Sequence, residues 1–216
     1  MKTSFKNSFV HCIDKLDIMK KLLLLLLLVP MVSFGQTASD FIKSGLDKQN
    51  LKDYTGALID FTKAIALNPY SVNAYNNRGQ SKRRLKDYYG AIKDFSKSIE
   101  IGPTAAAYSN RGMVKRLLKD YKGAIVDSNM AINLDPNYAG DYYNIGTTKY
   151  NLKDYKGAIE SFNKAIELDP SFSENFYFRG VSKARLGDWN SACDDWRKAV
   201  SMGNKDASKM VESQCK

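Results

Sequence analysis

Glycine stands at positions 45, 79, 112, 146 and 180, and alanine follows each at 57, 91, 124, 158 and 192. Proline keeps the same beat at 69, 103, 136 and 170. Successive glycines are 34, 33, 34 and 34 residues apart. A fixed period of this length means one small helical or mixed unit copied in tandem, each copy covering its neighbour, and excludes a fold built around one closed core. Five copies run from Ala38 to about residue 205, nearly everything after the first 37 residues.

The fourth copy, 139–172, shows what one unit contains. Tyr142, Ile145, Gly146 and Lys149 fall at offsets 0, 3, 4 and 7, one face of a helix. A short polar break follows, from Asn151 to Tyr155. Asp154 then opens a second helix, where a carboxylate meets free N–H groups and the positive dipole end. Ala158, Phe162, Ala165 and Ile166 line that helix on one side. Pro170 stops it, because proline lacks the N–H and disfavours helix in the residue before it. Each copy reads as helix, tight turn, helix, proline turn. Gly146 and Ala158 leave no bulk where the two helices cross, and Tyr155 and Phe162 fill the space around that contact.

The pattern resembles the tetratricopeptide repeat (TPR) family. The opening aromatic is Phe41, Tyr75, Tyr108, Tyr142 and Phe176, and the turn aromatic is Tyr54, Tyr88, Tyr121, Tyr155 and Trp189. The later bulky slot holds Phe61, Phe95, Ser128, Phe162 and Trp196, so Ser128 marks the third copy as the least well packed. Asn204 replaces the fifth proline, as expected where an array stops. Position eleven, often aromatic in the family, is Lys48, Lys82, Lys115, Lys149 and Lys183. The resemblance implies an all-α, right-handed solenoid with repeats at 38–71, 72–104, 105–138, 139–172 and 173–206. A short capping helix is expected at 207–216, with Ala207, Met210, Val211 and Cys215 on one side.

Met19-Lys20-Lys21, seven leucines and then Ser33 and Gly35 have the layout of a secretory signal over 19–35, cut before Gln36. The apolar run Leu22–Phe34 spans 13 residues, short of the roughly 20 that a membrane helix needs. Membrane attachment would come only through an uncleaved signal. No Cys follows the small residue, so no lipid anchor is expected. Residues 1–18 read as an upstream extension or misplaced start. A small residue followed by Gln at the cut resembles the signals of exported Bacteroidetes-type bacterial proteins, which implies a periplasmic or secreted location.

Cleavage removes five Lys, two Asp and the only histidine, His11, leaving a net charge of +7 from +10. Signs are interspersed, which favours solubility over a dedicated polyanion surface. The exception is a cluster of Arg78, Lys82, Arg83, Arg84 and Lys86, continued by Lys115, Arg116 and Lys119. Without histidine the mature chain lacks the commonest general base and zinc ligand at neutral pH. No phosphate-cradling loop, calcium loop or nucleophile elbow is present. The acids, Asp194 and Asp195 among them, are expected to be solvated on amphipathic helices. Neither catalysis, cofactor nor metal is expected. Cys193 and Cys215 survive cleavage as an even pair in an oxidising compartment, and a bond between them would pin the capping helix to the last repeat.

In proteins the chain resembles, the first helix of each repeat lines a concave groove. Mapped here, that surface carries Asn76, Asn77, Arg83, Arg84, Asn110, Arg116, Tyr143, Asn144, Tyr150 and Tyr177. Asn77, Asn110 and Asn144 share one slot on consecutive helices, an amide ladder suited to the donors and acceptors of an extended peptide. Tyrosine adds contact area at little entropic cost, and arginine grips carboxylates with two prongs. The family's carboxylate clamp for chaperone tails is missing, because Ile42 and Leu46 occupy its basic and Asn positions. The expectation is a non-catalytic scaffold of the bacterial envelope, holding a peptide or loop of another envelope protein. The alternative is a binder of acidic glycan or nucleic acid through the basic cluster on repeats two and three, although nucleic acid is not the expected partner.

Overall fold

The computed structural model describes residues 35–215. The upstream segment 1–18, His11 and the expected signal lie outside the described residues, apart from Gly35 at the cut. Eleven helices follow one another among the described residues: α1 (Ala38–Asn50), α2 (Tyr54–Leu67), α3 (Val72–Arg84), α4 (Tyr88–Ile101), α5 (Ala105–Leu117), α6 (Tyr121–Leu134), α7 (Ala139–Asn151), α8 (Tyr155–Leu168), α9 (Ser173–Arg185), α10 (Trp189–Ser201) and α11 (Lys205–Gln214). The architecture is an all-α solenoid of five helical pairs and a terminal helix. Each second helix packs between its own first helix and that of the next repeat, and first helices of successive repeats also touch. Units that approach more closely through their first helices put those helices on the inner face of the stack.

The turn inside each repeat is written by three residues. Leu-Lys-Asp closes the first helix in repeats one to four, with Lys52, Lys86, Lys119 and Lys153 in the left-handed region at φ 63–64°. Gly187 takes this place in repeat five at φ 88°. In repeat one the Lys52 and Asp53 N–H groups return to Gln49 and Lys48 carbonyls at 2.9 Å each, satisfying the helix end. A lysine there accepts steric strain that glycine avoids. Asp53, Asp87, Asp120, Asp154 and Asp188 then cap the second helices. The first four accept the Gly56, Gly90, Gly123 and Gly157 N–H groups at 2.9–3.0 Å, and Asp188 accepts that of Ser191 at 3.2 Å.

Within a repeat, a buried ring sits on the first-helix glycine. A methyl group added to Gly79 would lie 2.7 Å from the Phe95 ring, and one on Gly146 equally close to Phe162. Phe61 and Trp196 make the same contact at Gly45 and Gly180. All four rings are fully buried. Repeat three lacks this contact: below Gly112 the nearest atoms are the Ala124 carbonyl and Asp127 Cβ at 3.2 Å, with Ser128 Oγ at 3.4 Å.

Some acids expected to be solvated are buried instead, whereas Asp194 is exposed as expected. Asp94, Asp127 and Asp195 are 2%, 1% and 4% exposed. Arg78 grips Asp94 with two hydrogen bonds of 2.8 and 2.7 Å, and Lys82 adds a third contact at 2.8 Å. Arg111 and Lys115 hold Asp127 in the same way, and Arg179 and Lys183 hold Asp195. In repeat one, Ser44 and Lys48 serve Asp60. Burial works against the Asp60 charge, but those two partners outweigh it and hold its carboxyl below the usual value. These acids are buried because the slot of the lysine at position eleven faces the second helix, so a carboxylate there finds a cation at hydrogen-bonding distance.

Each arginine also reaches back one repeat. Arg78 donates to Thr62 Oγ1 at 3.3 Å, Arg111 to Ser96 Oγ at 3.0 Å, and Arg179 to Asn163 Oδ1 at 2.8 Å. Repeat four has Ile145 and Ser161 in the arginine and aspartate slots, so no such link joins it to repeat three.

At the end of the array, Asn204 caps α11 by accepting the Ala207 N–H at 2.9 Å, a role proline in that place could not fill. Ala207, Met210, Val211 and Cys215 pack against Trp196 and its neighbours. The helix begins at Lys205. Cys193 and Cys215 are joined by a disulfide with their Cα atoms 5.6 Å apart. Closing a 22-residue separation in this way restricts the unfolded chain by an amount on the order of 3 kcal/mol.

The glycine contacts predict unequal costs for the same substitution. Gly79→Ala must displace a fully buried ring and is expected to lower stability by about 1–3 kcal/mol. Gly112→Ala meets no ring and gains helix propensity, so it should stay within about 1 kcal/mol of neutral. Urea unfolding of the two variants measures the difference.

Candidate functional site

First helices α3, α5, α7 and α9 bring the expected groove residues to one face, but those residues divide into open and committed groups. Asn110 Nδ2 donates to Asn76 Oδ1 at 3.2 Å, a bond between consecutive repeats. Asn77 Oδ1 instead accepts from Gln80 at 3.3 Å. Asn144 is 5% exposed, and its side chain lies against Asp141. The three amides thus share a slot without forming a continuous ladder. Asn144 is withdrawn because repeat four packs Thr147 and Thr148 around it, both buried and both donating to its carbonyl.

The aromatic residues separate in the same way. Tyr143 stacks edge-on against Phe172 and Phe178, with ring centroids 5.3 and 5.9 Å away, and lies 6.1 Å from the Phe162 ring. Burial pushes its hydroxyl up from the ordinary tyrosine range, with Arg116 opposing. It works mainly as packing between repeats four and five. Tyr150 and Tyr177 are partly exposed. Tyr150 meets the Tyr155 ring at 5.5 Å, and Tyr177 meets Phe178 at 5.0 Å.

Arg84 is open to solvent, whereas Arg83 and Arg116 each bury an Nε without a hydrogen-bond partner. Burial and the neighbouring Arg84 charge draw the Arg83 guanidinium below its ordinary value. Of the eight residues in the basic cluster, Arg78, Lys82 and Lys115 are tied to Asp94 and Asp127. The outward charge of that surface is correspondingly smaller than the sequence count implies.

Two polar residues that sequence reasoning passed over are the most unusual in the array. Third in their repeats, Asp141 and Asn175 are 0% and 1% exposed. Neither side chain has a hydrogen-bond partner of good geometry. Repeats two and three fill this slot with Ala74 and Ala107, both fully buried. Comparing copies slot by slot would have found the exchange. The position preceding each of these helices changes alongside: Ser71 and Thr104 cap α3 and α5, but Tyr138 and Phe172 offer α7 and α9 no side-chain cap. Losing such a cap costs about 1 kcal/mol.

Burial raises the Asp141 carboxyl above its usual value, Ser109 and Asn144 counter the rise, and Asp135 adds to it. Below the ordinary aspartate value both folded and unfolded chains hold the proton, and the site costs little. As pH rises past it, the unfolded chain releases its proton first, so stability falls until the folded carboxyl also ionises. Asp141→Ala, which copies Ala74 and Ala107, should raise stability at neutral pH by about 1–3 kcal/mol. It should also remove the decline just above pH 4. Urea titrations of both proteins across acid to neutral pH check both effects.

Residues 72–104 and 141–172 match the family description Tetratricopeptide repeat. No curated protein matches the chain. Among solved structures, MamA is 23% identical with a TM-score of 0.67, the alignment covering 83% of this chain and 97% of MamA. YrrB, a TPR protein with an unusual peptide-binding site, is 21% identical with a TM-score of 0.65, covering 81% and 91% of the two chains. Pseudomonas aeruginosa pilF is 17% identical with a TM-score of 0.73, covering 82% and 86%. At these identities the likeness is one of fold. Two of the five units thus match the tetratricopeptide repeat, and the period and paired helices of the other three follow the same plan.

Proposed function

We propose that the protein is a non-catalytic scaffold of the bacterial envelope, exported through a cleaved signal, that holds an extended segment of another envelope protein on its first-helix face. One observation carries this reading: that face bridges consecutive repeats with side-chain amides, through the Asn76–Asn110 bond, and leaves Asn77, Arg84, Tyr150 and Tyr177 at least partly open beside them. Such a surface pairs with peptide carbonyls and N–H groups while giving side chains an aromatic place to rest. The shared fold with YrrB, itself a TPR protein with a peptide-binding site, supports the class of ligand.

Binding of acidic polymer through repeats two and three is the weaker reading, because three cations of that cluster already hold buried aspartates. Salt separates the two. Polymer contacts release counterions and should collapse as salt rises, whereas amide and aromatic contacts lose less.

The immobilised protein, exposed to detergent-treated envelope extract, should retain one or two proteins past moderate salt. Replacing Arg84 and Tyr150 together by Ala should weaken that retention by about 10–100-fold. Release of only glycan or nucleic acid at low salt would reject the scaffold. N-terminal sequencing of the exported protein should begin at Gln36, and a sequence starting upstream would reject cleavage there.

A further inference from the structure

Repeat four breaks a set of interactions that the other repeats keep. Four of the five lysines at position eleven bond a buried aspartate on the second helix, at 2.6–2.8 Å. Lys149 cannot, because the aspartate slot holds Ser161, whose hydroxyl donates to the Gly157 carbonyl of its own helix at 2.8 Å. The arginine slot holds buried Ile145. Lys149 is half-buried, with its stem against Gly157. Among the described residues it makes no ion pair, and, unlike the Nε atoms of Arg83 and Arg116, its ammonium is not sealed from water. The same change leaves Asn129 without an arginine, although its counterparts Thr62, Ser96 and Asn163 each receive one from the next repeat. Lys149 and Asn129 line one cavity of about 370 Å³, together with Ile125, Ile132, Ile145 and Ser161. It lies between the second helices α6 and α8, with α7 as its floor. In repeat two the wall on this side contains Arg78 and Asp94, already bonded to each other. The chain thus shows in four repeats what this lysine takes, and in repeat four it withholds that group.

We infer that this cavity docks a glutamate side chain of a partner protein, its carboxylate taking the part that Asp94, Asp127 and Asp195 play in their own repeats. The site is built on second helices, apart from the first-helix face, so it stands or falls independently of the peptide groove. Lys149 supplies the charge, and the Asn129 amide on α6 can donate to the second carboxylate oxygen. Ser161 is smaller than the aspartate it replaces and brings no charge of its own. Ile125, Ile132 and Ile145 offer apolar walls to a methylene stem, which favours glutamate over an anion with no apolar part, such as phosphate. At the rim, Lys164 is already paired with Glu167 at 2.7 Å, and exposed Glu160 opposes an incoming acid. Water and salt screen that exposed charge, whereas half-buried Lys149 is screened less. A carboxylate held by Lys149 and Asn129 would join α7 to α6 at the boundary that no arginine crosses.

The test is an NMR titration of the ¹⁵N-labelled protein with N-acetyl-glutamate methylamide, its glutamine counterpart and inorganic phosphate, all at constant ionic strength. Glutamate should shift the Gly157 and Ser161 amides, and the other two probes should bind there at least about tenfold more weakly. Lys149→Met keeps the stem and removes the charge, so it should fold with an unchanged melting temperature and lose the preference. Ser161→Asp copies Asp94 and Asp127, and should pair Lys149 within the chain and abolish glutamate binding. Glu160→Gln should tighten binding by up to about fivefold. Equal shifts from glutamate and glutamine would overturn the proposal, as would phosphate binding as tightly as glutamate. So would a methionine variant that still prefers glutamate, or shifts confined to Arg84 and Arg116, where the basic cluster alone reads the anion. Should Ser161→Asp fail to fold, the methionine variant decides. None of these arms involves the envelope partner, so their failure leaves the scaffold reading standing.

Discussion

A pair of helices of 13 and 14 residues has two apolar faces and only one partner for them. The first face is spent inside the pair, where a ring rests on glycine; the second must wait for the next pair. Everything else in the molecule follows from that unmet need. It explains why the unit repeats and why the terminal helix α11 exists. It also explains why the last repeat carries the largest buried side chain, Trp196, with a disulfide beside it. A helix of ten residues has little stability of its own, so α11 depends on that tryptophan cluster and on the covalent tie.

Stacking by apolar contact alone is permissive about register, since neighbouring turns offer similar surfaces. The buried aspartates are less permissive. A carboxylate at 1–4% exposure is costly unless its partners arrive in the right place, and the bidentate arginine and the lysine one turn later arrive only in one alignment of the two helices. Replacing such a cluster by apolar groups need not cost stability, so its contribution here is to alignment. The rings of Tyr75, Tyr108 and Phe176 lie under the same arginines at 5.4–5.6 Å, which holds each guanidinium flat against its own helix.

The repeat period made the fold legible at once, because helix caps, glycine and proline recur in phase and each has a local physical cause. Asp154 as a cap and Phe162 as core could be placed without any tertiary information. Residues whose role depends on a partner 16 positions away could not. Asp195 looks like any helix acid until Arg179 and Lys183 are seen across from it. Left-handed lysines were hidden for another reason: Lys119 has no propensity for that conformation and adopts it because the flanking helices leave no alternative. Within the candidate groove, side-chain direction was the missing quantity. Asn76, Asn77 and Asn144 all sit on first helices, yet one bridges repeats, one binds its own helix and one is buried.

The arginine links also set how the array comes apart. They tie repeat one to two, two to three, and four to five, and leave the boundary between repeats three and four, where Ile145 replaces the arginine, without one. In a linear array, stability is a sum of unit terms and nearest-neighbour couplings, and a weak coupling becomes the place where cooperativity ends. The links thus divide the array into a triplet and a capped doublet. The doublet carries the disulfide. Fraying would begin from the open first repeat and run to the boundary, sparing the half that the disulfide closes.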